Sequence, residues 1–259
     1  MTMTDVNPLY RGGNDKFGTE YDVTQLHESG HGTKVHRDYL AHVLRWGFIQ
    51  RTVKYGDKIL DFGCGQDLPL AQVLAGHMSF TGDPEKGRPQ YVGVDLNKIK
   101  KTFNAKWATI LSEYNLLDDP SPGVIVPHWG DFDVVVSLEV IEHMSVENGR
   151  RYLRRAFGAL NQDGVMYLST PVFNGKAAKN HIHEYTIEEL QGAIEDVGFR
   201  IVRRWGTFMS WNDMKRVATS EQIALCTELR EYLGAEVVAS FLAPLYPSAS
   251  RNNVWELTK

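Results

Sequence analysis

The sequence predicts a doubly wound α/β fold built on a mostly parallel, seven-stranded sheet. Short, nearly continuous apolar runs alternate with segments of helical periodicity, and several of these runs end in glycines or carboxylates. Parallel strands that are buried on both faces have this apolar pattern, and ligands bind at the carboxyl ends of such strands. We therefore expect one sheet with helices on both faces and a binding site at its carboxyl edge.

Seven apolar runs are predicted to be strands, namely 58–65, 91–97, 108–115, 131–140, 165–171, 199–208 and 253–259. Between the fourth and fifth strands, residues 150–164 have apolar positions at helical spacing, and Gly164 is expected to end this helix. Thr186, with Glu189 three residues later, predicts a capping box at the start of another helix, which Gly198 should end.

The chain is predicted to be one large domain, because no Pro/Gly/Ser-rich or charged linker divides it. Its predicted parts are an N-terminal arm and covering helix (1–55), the α/β core (56–210), a helical insertion (211–249) and the final strand of the core (250–259). The covering helix and the insertion are both expected to lie over the binding edge.

Composition excludes several classes of protein. The chain has 259 residues, of which 42% are hydrophobic and 23% charged, as in soluble globular proteins. It contains no apolar run of the length that a membrane span needs and no signal-peptide pattern, so we expect a cytoplasmic protein without a membrane partner. Two cysteines, Cys64 and Cys226, are too few for a disulfide framework. A net charge of -4 gives no general attraction to a polyanion.

A glycine-rich turn follows the first strand. In "LDFGCGQ", Gly63 and Gly65 allow a sharp turn and a close approach to a ligand, and Asp61 precedes them. Asp95 ends the second strand, where a carboxylate can bind both hydroxyls of a ribose. The alternative is a tight turn with an N-capping aspartate. A nicotinamide-binding turn would have a third glycine where this chain has Leu68.

Four segments, "ILDFGCG", "YVGVDLN", "DFDVVVSLEVIEHM" and "DGVMYLSTP", resemble in this order the motifs of class I S-adenosylmethionine-dependent methyltransferases. The resemblance covers about residues 55–205 and implies a Rossmann-like fold. It also implies a site for S-adenosylmethionine formed by Asp61, Gly63, Cys64, Gly65, Asp95, Leu96, Asn115, Ser137 and Leu138.

The same resemblance assigns parts of the cofactor to parts of the chain. It places the ribose at Asp95 and the sulfonium beside Ser137 and Leu138, with the methionine along residues 61–65. Three residues are candidates for binding the adenine amino group: Asn115 first, then Glu113 and Asp118.

The fourth strand ends in a cluster of candidate catalytic residues, Glu139, Glu142 and His143. If a helical turn begins at residue 139, their spacing places them on one face. Two carboxylates and an imidazole suit Mg²⁺, Mn²⁺ or Zn²⁺, and His181 or His183 could complete such a site. The alternatives are metal-free contacts with substrate, including a general base, and a structural helix cap.

The E-x-x-E-H pattern, with "STP" and a later histidine, is similar to two metal-dependent branches of the family. One methylates the 2′-hydroxyl at the 3′ end of small RNAs, and the other a catechol-type hydroxyl in ubiquinone biosynthesis. The similarity implies a metal site formed by Glu139, Glu142, His143 and His183. The RNA branch has asparagine where this chain has Val172, which disfavours an RNA end as substrate.

We therefore expect a methyltransferase that methylates oxygen in a hydroxylated small molecule by in-line displacement, with a divalent cation as a candidate cofactor. The end of the fourth strand lacks a cysteine nucleophile and the [DNS]-P-P-[YFW] motif, which disfavours pyrimidine C5 and exocyclic amine methylation. The alternatives are 2′-O- or base methylation of RNA or a nucleotide, and a non-catalytic protein that binds S-adenosylmethionine. The sequence leaves the oligomeric state open.

Overall fold

The computed structural model describes residues 37–54, 56–78, 89–100, 106–115, 117–118, 126 and 129–259. Residues 1–36, which include the predicted N-terminal arm, lie outside the described residues. Among the helices of the described residues, none is long and apolar enough to cross a membrane.

Helices and strands alternate through the first two thirds of the chain. The helices are α1 Arg37–Thr52, α2 Pro69–Met78, α3 Val146–Ala159, α4 Ile187–Val197, α5 Trp211–Val217, α6 Ser220–Leu233 and α7 Ala235–Leu242. The strands are β1 Lys58–Phe62, β2 Gln90–Val94, β3 Ala108–Leu111, β4 Phe132–Leu138, β5 Leu160–Pro171, β6 Arg200–Phe208 and β7 Asn252–Thr258. Short 3₁₀ turns span Ile141–His143, Ala243–Leu245 and Pro247–Ala249.

The seven strands form one sheet in the order β3-β2-β1-β4-β5-β7-β6. Strands β1 to β5 are parallel, and β7 runs antiparallel between β5 and β6. The order reverses at β1 and β4, which places the carboxyl ends of β1, β2 and β4 around one crevice. The predicted fold class is confirmed.

Successive side chains of each strand point to opposite faces of the sheet, and helices bury both of these faces. Leu60 of β1 packs in a cluster with residues of α3 and α4, such as Leu153 and Leu190. Its neighbour Ile59 packs on the other face, with Ile49 of α1 and with residues of α2. Helices α1 and α2 therefore cover one face of the sheet, and α3 and α4 cover the other.

The helix after β4 differs from the prediction at its end. It begins at the N-cap Ser145, and it ends at Leu160, where the backbone becomes extended and β5 starts without a loop. Gly164 therefore does not end the helix but lies within β5. A Cβ atom at Gly164 would lie 2.8 Å from the carbonyl oxygen of Phe132, so the glycine allows β4 and β5 to approach where their pairing is irregular.

Helix α4 confirms the prediction from its sequence. The side chain of Thr186 accepts from the backbone N–H of Glu189, and the side chain of Glu189 accepts from the backbone N–H of Thr186. At the other end of the helix, Gly198 adopts the left-handed conformation. Three further helices, α5 to α7, lie before the last strand and share a third apolar cluster around Met214 and Val238.

Candidate active site

A cavity of about 710 Å³ opens at the carboxyl ends of β1, β2 and β4. It is lined by the glycine turn after β1, by residues after β2 and β3, and by residues at and after the end of β4 that include Glu139 and His143. Helix α1 contributes two side chains to it, His42 and Trp46. One crevice therefore connects the glycine turn with Glu139 and His143, and Glu142 lies outside its lining.

The glycines of the turn are required by its backbone geometry. Gly63 and Gly65 have φ angles of 85° and 75°, a region that glycine adopts without strain. A Cβ atom at Gly63 would also lie 2.4 Å from Cγ2 of Val140, so the turn packs directly against the segment after β4. The backbone N–H groups of Gly63 and Cys64 donate to the carbonyl of Val94, which fixes the turn to β2.

Asp95 is held at the cavity by two backbone groups. Its Oδ2 accepts from the N–H of Gly65 at 2.9 Å, and its Oδ1 accepts from the N–H of Asn97 at 2.8 Å. The carboxylate therefore has a fixed position, and each of its oxygens retains a lone pair for a further donor, such as a sugar hydroxyl.

Asp61 lies on the face of the sheet that α1 and α2 cover. The hydroxyl of Tyr91 donates to its Oδ2 at 2.6 Å. Burial raises the pKa of Asp61 to about 7, the charge of Asp95 acts in the same direction, and the Tyr91 hydrogen bond opposes both. Burial also raises the pKa of the Cys64 thiol, so that side chain is not an activated nucleophile.

Glu139 follows β4 in a left-handed conformation, with φ 59°. Its Oε1 accepts from Nη1 of Arg45 at 2.9 Å and from Oγ of Ser169 at 2.7 Å. Its Oε2 accepts from Nδ2 of Asn252 at 2.8 Å. This carboxylate is therefore bound by side chains from α1, β5 and β7.

Glu142 lies three residues further on and is 1% exposed. Its Oε2 accepts from Oγ1 of Thr170 at 3.1 Å, whereas its Oε1 has no hydrogen-bond partner among the described residues. Burial, followed by the charge of Glu139, raises the pKa of Glu142 well above its usual value. A buried carboxyl oxygen without a partner is costly, and it favours a bound group at this point.

Two histidines lie beside Glu142. The Nδ1 atom of His143 is 3.0 Å from the carbonyl oxygen of Asn180, and Nδ1 of His181 is 2.6 Å from Oε1 of Glu184. Both rings are therefore held through Nδ1, so Nε2 is the nitrogen of each ring that could bind a ligand. Glu142, His143 and His181 each offer one atom that could bind a cation, and these atoms lie within 4.8 Å of one another.

Comparisons with known proteins relate this geometry to a family. Residues 32–204, more than half of the chain, match the family model described as a methyltransferase domain. The chain belongs to the methyltransferase-domain family. The sheet has the Rossmann-like topology that the sequence motifs predicted, and the family model identifies a methyltransferase domain, which confirms that part of the interpretation.

Curated relatives match parts of this methyltransferase. A ubiquinone biosynthesis O-methyltransferase of Psychrobacter cryohalolentis is 28% identical over 171 residues, 62% of this chain and 58% of the relative. A sphingolipid C9-methyltransferase of Candida albicans is 24% identical over 197 residues, 72% of this chain and 32% of the relative. The matched segments thus span less than two thirds of the length of these relatives.

Solved structures support the fold at lower identity. An S-adenosylmethionine-dependent methyltransferase from Mesorhizobium loti has a TM-score of 0.52 at 15% identity, with 86% of this chain and 100% of that chain covered. One from Archaeoglobus fulgidus has a TM-score of 0.52 at 16% identity, with 92% and 100% covered.

Most of the predicted cofactor residues line the cavity. These are Asp61, Gly63, Cys64, Gly65, Asp95, Leu96, Asn115 and Leu138. Ser137 is placed differently, because it is fully buried and lies 2.7 Å from the hydroxyl of Tyr152 on the α3 face of the sheet. Roles of these residues toward the cofactor stay predictions.

The three candidates for adenine binding also differ in position. Asn115 lines the cavity, but its amide already contacts Asp118 and the backbone of Leu117. Glu113 and Asp118 are exposed.

The acidic cluster does not occupy one face of a helix. Glu139 precedes the turn in a left-handed conformation, and only Ile141–His143 form a 3₁₀ turn. Of the predicted metal ligands, Glu142 and His143 lie together with His181, while His183 lies with Nε2 3.9 Å from Oε2 of Glu189.

Sequence reasoning missed the part of the site that α1 supplies. The sequence analysis expected a covering helix over the binding edge but assigned no role to His42 and Trp46, which line the cavity, or to Arg45, which binds Glu139. An arginine on the apolar face of a helix was the available signal, because a buried guanidinium needs a partner.

Proposed function

We propose that this methyltransferase transfers the methyl group of S-adenosylmethionine to an oxygen atom of a hydroxylated small molecule. The observation that carries the proposal is the continuity of one cavity from the glycine turn and Asp95 to the His143 side chain. A cofactor bound at the first end would present its methyl group to an acceptor at the second. Two of the relatives are named O-methyltransferases, which favours oxygen as the acceptor atom.

The transfer is an in-line displacement. The acceptor oxygen forms a bond to the methyl carbon as the carbon–sulfur bond breaks, and the bonding electrons leave with the sulfur. Without a bound cation, the hydroxyl proton passes to Nε2 of His143, whose Nδ1 is held by the carbonyl of Asn180. A cation bound at Nε2 would replace this base role. Glu142 is not assigned as the base in this step, because His143 lines the cavity and Glu142 does not.

A divalent cation fits the cluster of Glu142, His143 and His181. The carboxyl oxygen Oε1 of Glu142 lacks a partner among the described residues, and both imidazoles are oriented through Nδ1, as metal-binding histidines are. One carboxylate and two imidazoles suit Zn²⁺ or Mn²⁺ better than Mg²⁺. Such a cation would act as a Lewis acid that lowers the pKa of an acceptor hydroxyl.

Compared with the predicted ligand set, the cluster lacks Glu139 and contains His181 in place of His183. This difference can be tested without an acceptor. We expect Mn²⁺ titration, followed by electron paramagnetic resonance, to show binding that His181→Ala weakens at least about tenfold. His183→Ala is the matched control and should bind as the unchanged protein does. Loss of binding in His183→Ala alone would favour the predicted set, and no binding by the unchanged protein would exclude the cation.

The acceptor class is tested by transfer of a labelled methyl group. Catechol, adenosine and a short RNA with a free 3′ end are offered in parallel, each with and without a chelator. We expect label in catechol and none in the other two. Label in the RNA or adenosine would support the nucleic-acid alternative, and bound cofactor without any transfer would support a non-catalytic protein.

The basic residues of α3 give little support to a nucleic-acid substrate. Arg151 donates to the carbonyl of Leu117 at 2.9 Å, Arg155 donates to the carbonyl of Asp118, and Arg150 lies 3.5 Å from Asp196. These side chains therefore have partners within the protein, which favours a small-molecule acceptor. The cytoplasmic location stays a prediction.

A further inference from the structure

His42 of α1 has a fixed tautomer. Its Nδ1 lies 2.9 Å from Nη2 of Arg45, and a guanidinium can only donate, so Nδ1 accepts this hydrogen bond. A neutral imidazole that accepts at Nδ1 carries its proton on Nε2. Burial, followed by the charge of Arg45, lowers the pKa of His42 to about 3, so the ring stays neutral at ordinary pH. Toward the contents of the cavity, His42 is therefore a hydrogen-bond donor.

The position of His42 is fixed as well as its tautomer. Arg45 is 1% exposed, and its other terminal nitrogen donates to Glu139 at 2.9 Å. The His42 ring stacks on Trp46, with ring centroids 5.2 Å apart and planes inclined by 24°. A polar group that is held from two sides in this way is pre-organised to bind a ligand.

The sheet order indicates which part of the cofactor His42 would meet. Strands β2 and β4 lie on opposite sides of β1. If the ribose is bound at Asp95 after β2, the methionine part extends past the glycine turn toward Glu139 after β4. His42 lies on this second side, because Arg45 links it to Glu139.

The packing of α1 supports the same location. Gln50 donates to the carbonyl of Val73 in α2 at 3.2 Å, and Ile49 packs in one cluster with Leu70. Helix α1 therefore runs beside the helix that follows the glycine turn, and its earlier turn, with His42, lines the cavity there.

The methionine part of the cofactor carries a carboxylate. The side chains of Asp61 and Glu139 line this end of the cavity and offer acceptor oxygens, so an incoming carboxylate needs a hydrogen-bond donor from another residue. We propose that His42 binds the α-carboxylate of the cofactor's methionine through Nε2–H, with Arg45 as the positioning residue. This inference rests on the proposed use of S-adenosylmethionine, and it deepens that proposal by naming the residue that recognises one end of the cofactor.

Two ligands that differ in the amino-acid part test the proposal. S-adenosylhomocysteine has the α-carboxylate, whereas 5′-methylthioadenosine has the same adenosine and thioether without it. In His42→Phe, which keeps a ring to stack on Trp46, we expect calorimetry to show about 10- to 100-fold weaker binding of S-adenosylhomocysteine. Binding of 5′-methylthioadenosine should change less than about twofold, which also shows that the variant is folded. His42→Gln retains a donor and should recover part of the affinity.

The outcomes separate failure of this inference from failure of the cofactor proposal. If the unchanged protein binds neither ligand, the proposed cofactor use fails. If it binds both, and His42→Phe weakens both equally or neither, the cofactor proposal stands and the carboxylate assignment to His42 is overturned.

Discussion

The two ends of the cavity differ in how their carboxylates are held. At one end, Asp95 accepts from backbone N–H groups of the glycine turn and of its own loop. At the other end, Glu139 accepts from the side chains of Arg45, Ser169 and Asn252, which belong to three separate elements. The first arrangement depends on the course of the backbone, and the second on packing between distant parts of the chain.

This difference predicts different consequences of substitution. Asp95 lines the cavity, so its removal should mainly affect ligand binding. Glu139 neutralises a fully buried arginine, so its removal should mainly affect the free energy of unfolding. The two variants together therefore test whether the ends of the cavity have separate roles.

The largest effect is expected for Asp95→Ala. A charged acceptor that binds two ribose hydroxyls contributes about 1.5 to 3 kcal/mol for each hydrogen bond, so affinity for S-adenosylhomocysteine should fall about 1,000-fold in calorimetry. The free energy of unfolding should also fall, by about 1 to 2 kcal/mol and less than for Glu139→Ala, because two backbone N–H groups lose their acceptor. Asp196→Ala, at an exposed position on α4, is the control and should bind normally. Retained affinity in Asp95→Ala would remove the ribose assignment.

Glu139→Ala should lower the free energy of unfolding by about 3 kcal/mol, because it leaves the buried charge of Arg45 without its partner. Chemical denaturation measures this change. The double variant Arg45→Leu with Glu139→Ala removes both charges and should be more stable than Glu139→Ala alone by about 1 kcal/mol or more. Glu195→Ala, on the exposed surface of α4, should have no comparable effect. If the double variant is no more stable than Glu139→Ala alone, charge pairing is not what Glu139 contributes.

The same difference explains what the sequence could predict. The glycine turn and Asp95 were found because Gly63 and Gly65 have a local, backbone reason to be glycine, and because Asp95 directly ends a strand. The fold class followed from alternation of apolar runs and helices. These features depend on short segments, whose preferences are visible in the residues themselves.

Features that depend on distant contacts were not predictable in this way. The helical face assumed for Glu139, Glu142 and His143 fails because Glu139 adopts a left-handed conformation, which its contacts with Arg45 and Asn252 accompany. The three donors of Glu139 lie up to 113 residues away in the sequence.

Gly164 was misinterpreted for a related reason. As a helix-ending residue it satisfies the sequence pattern, but Leu160 is fully buried opposite Phe132 and already belongs to β5. Pairing within the sheet therefore decides where α3 ends, and the local preference for a glycine cap does not.

Asp61 is the exception at the cofactor end, because a tyrosine side chain rather than a backbone group holds it. Its pKa is raised to about 7, so the folded protein binds a proton that the unfolded chain releases near pH 4. The resulting loss of stability begins above that pH, grows up to about pH 7 and is complete at higher pH.

Asp61→Asn removes this titration and keeps an acceptor for the Tyr91 hydroxyl. Relative to the unchanged protein, the variant should therefore gain about 2.5 kcal/mol of stability between pH 5 and pH 8, measured by chemical denaturation at both values. Tyr91→Phe removes the hydrogen bond that lowers the pKa of Asp61, so the pH range of the stability loss should extend upward. An equal stability difference between Asp61→Asn and the unchanged protein at pH 5 and pH 8 would mean that Asp61 is ionised throughout. The contact with Tyr91 would then not distinguish Asp61 from Asp95, the other carboxylate at the cofactor end.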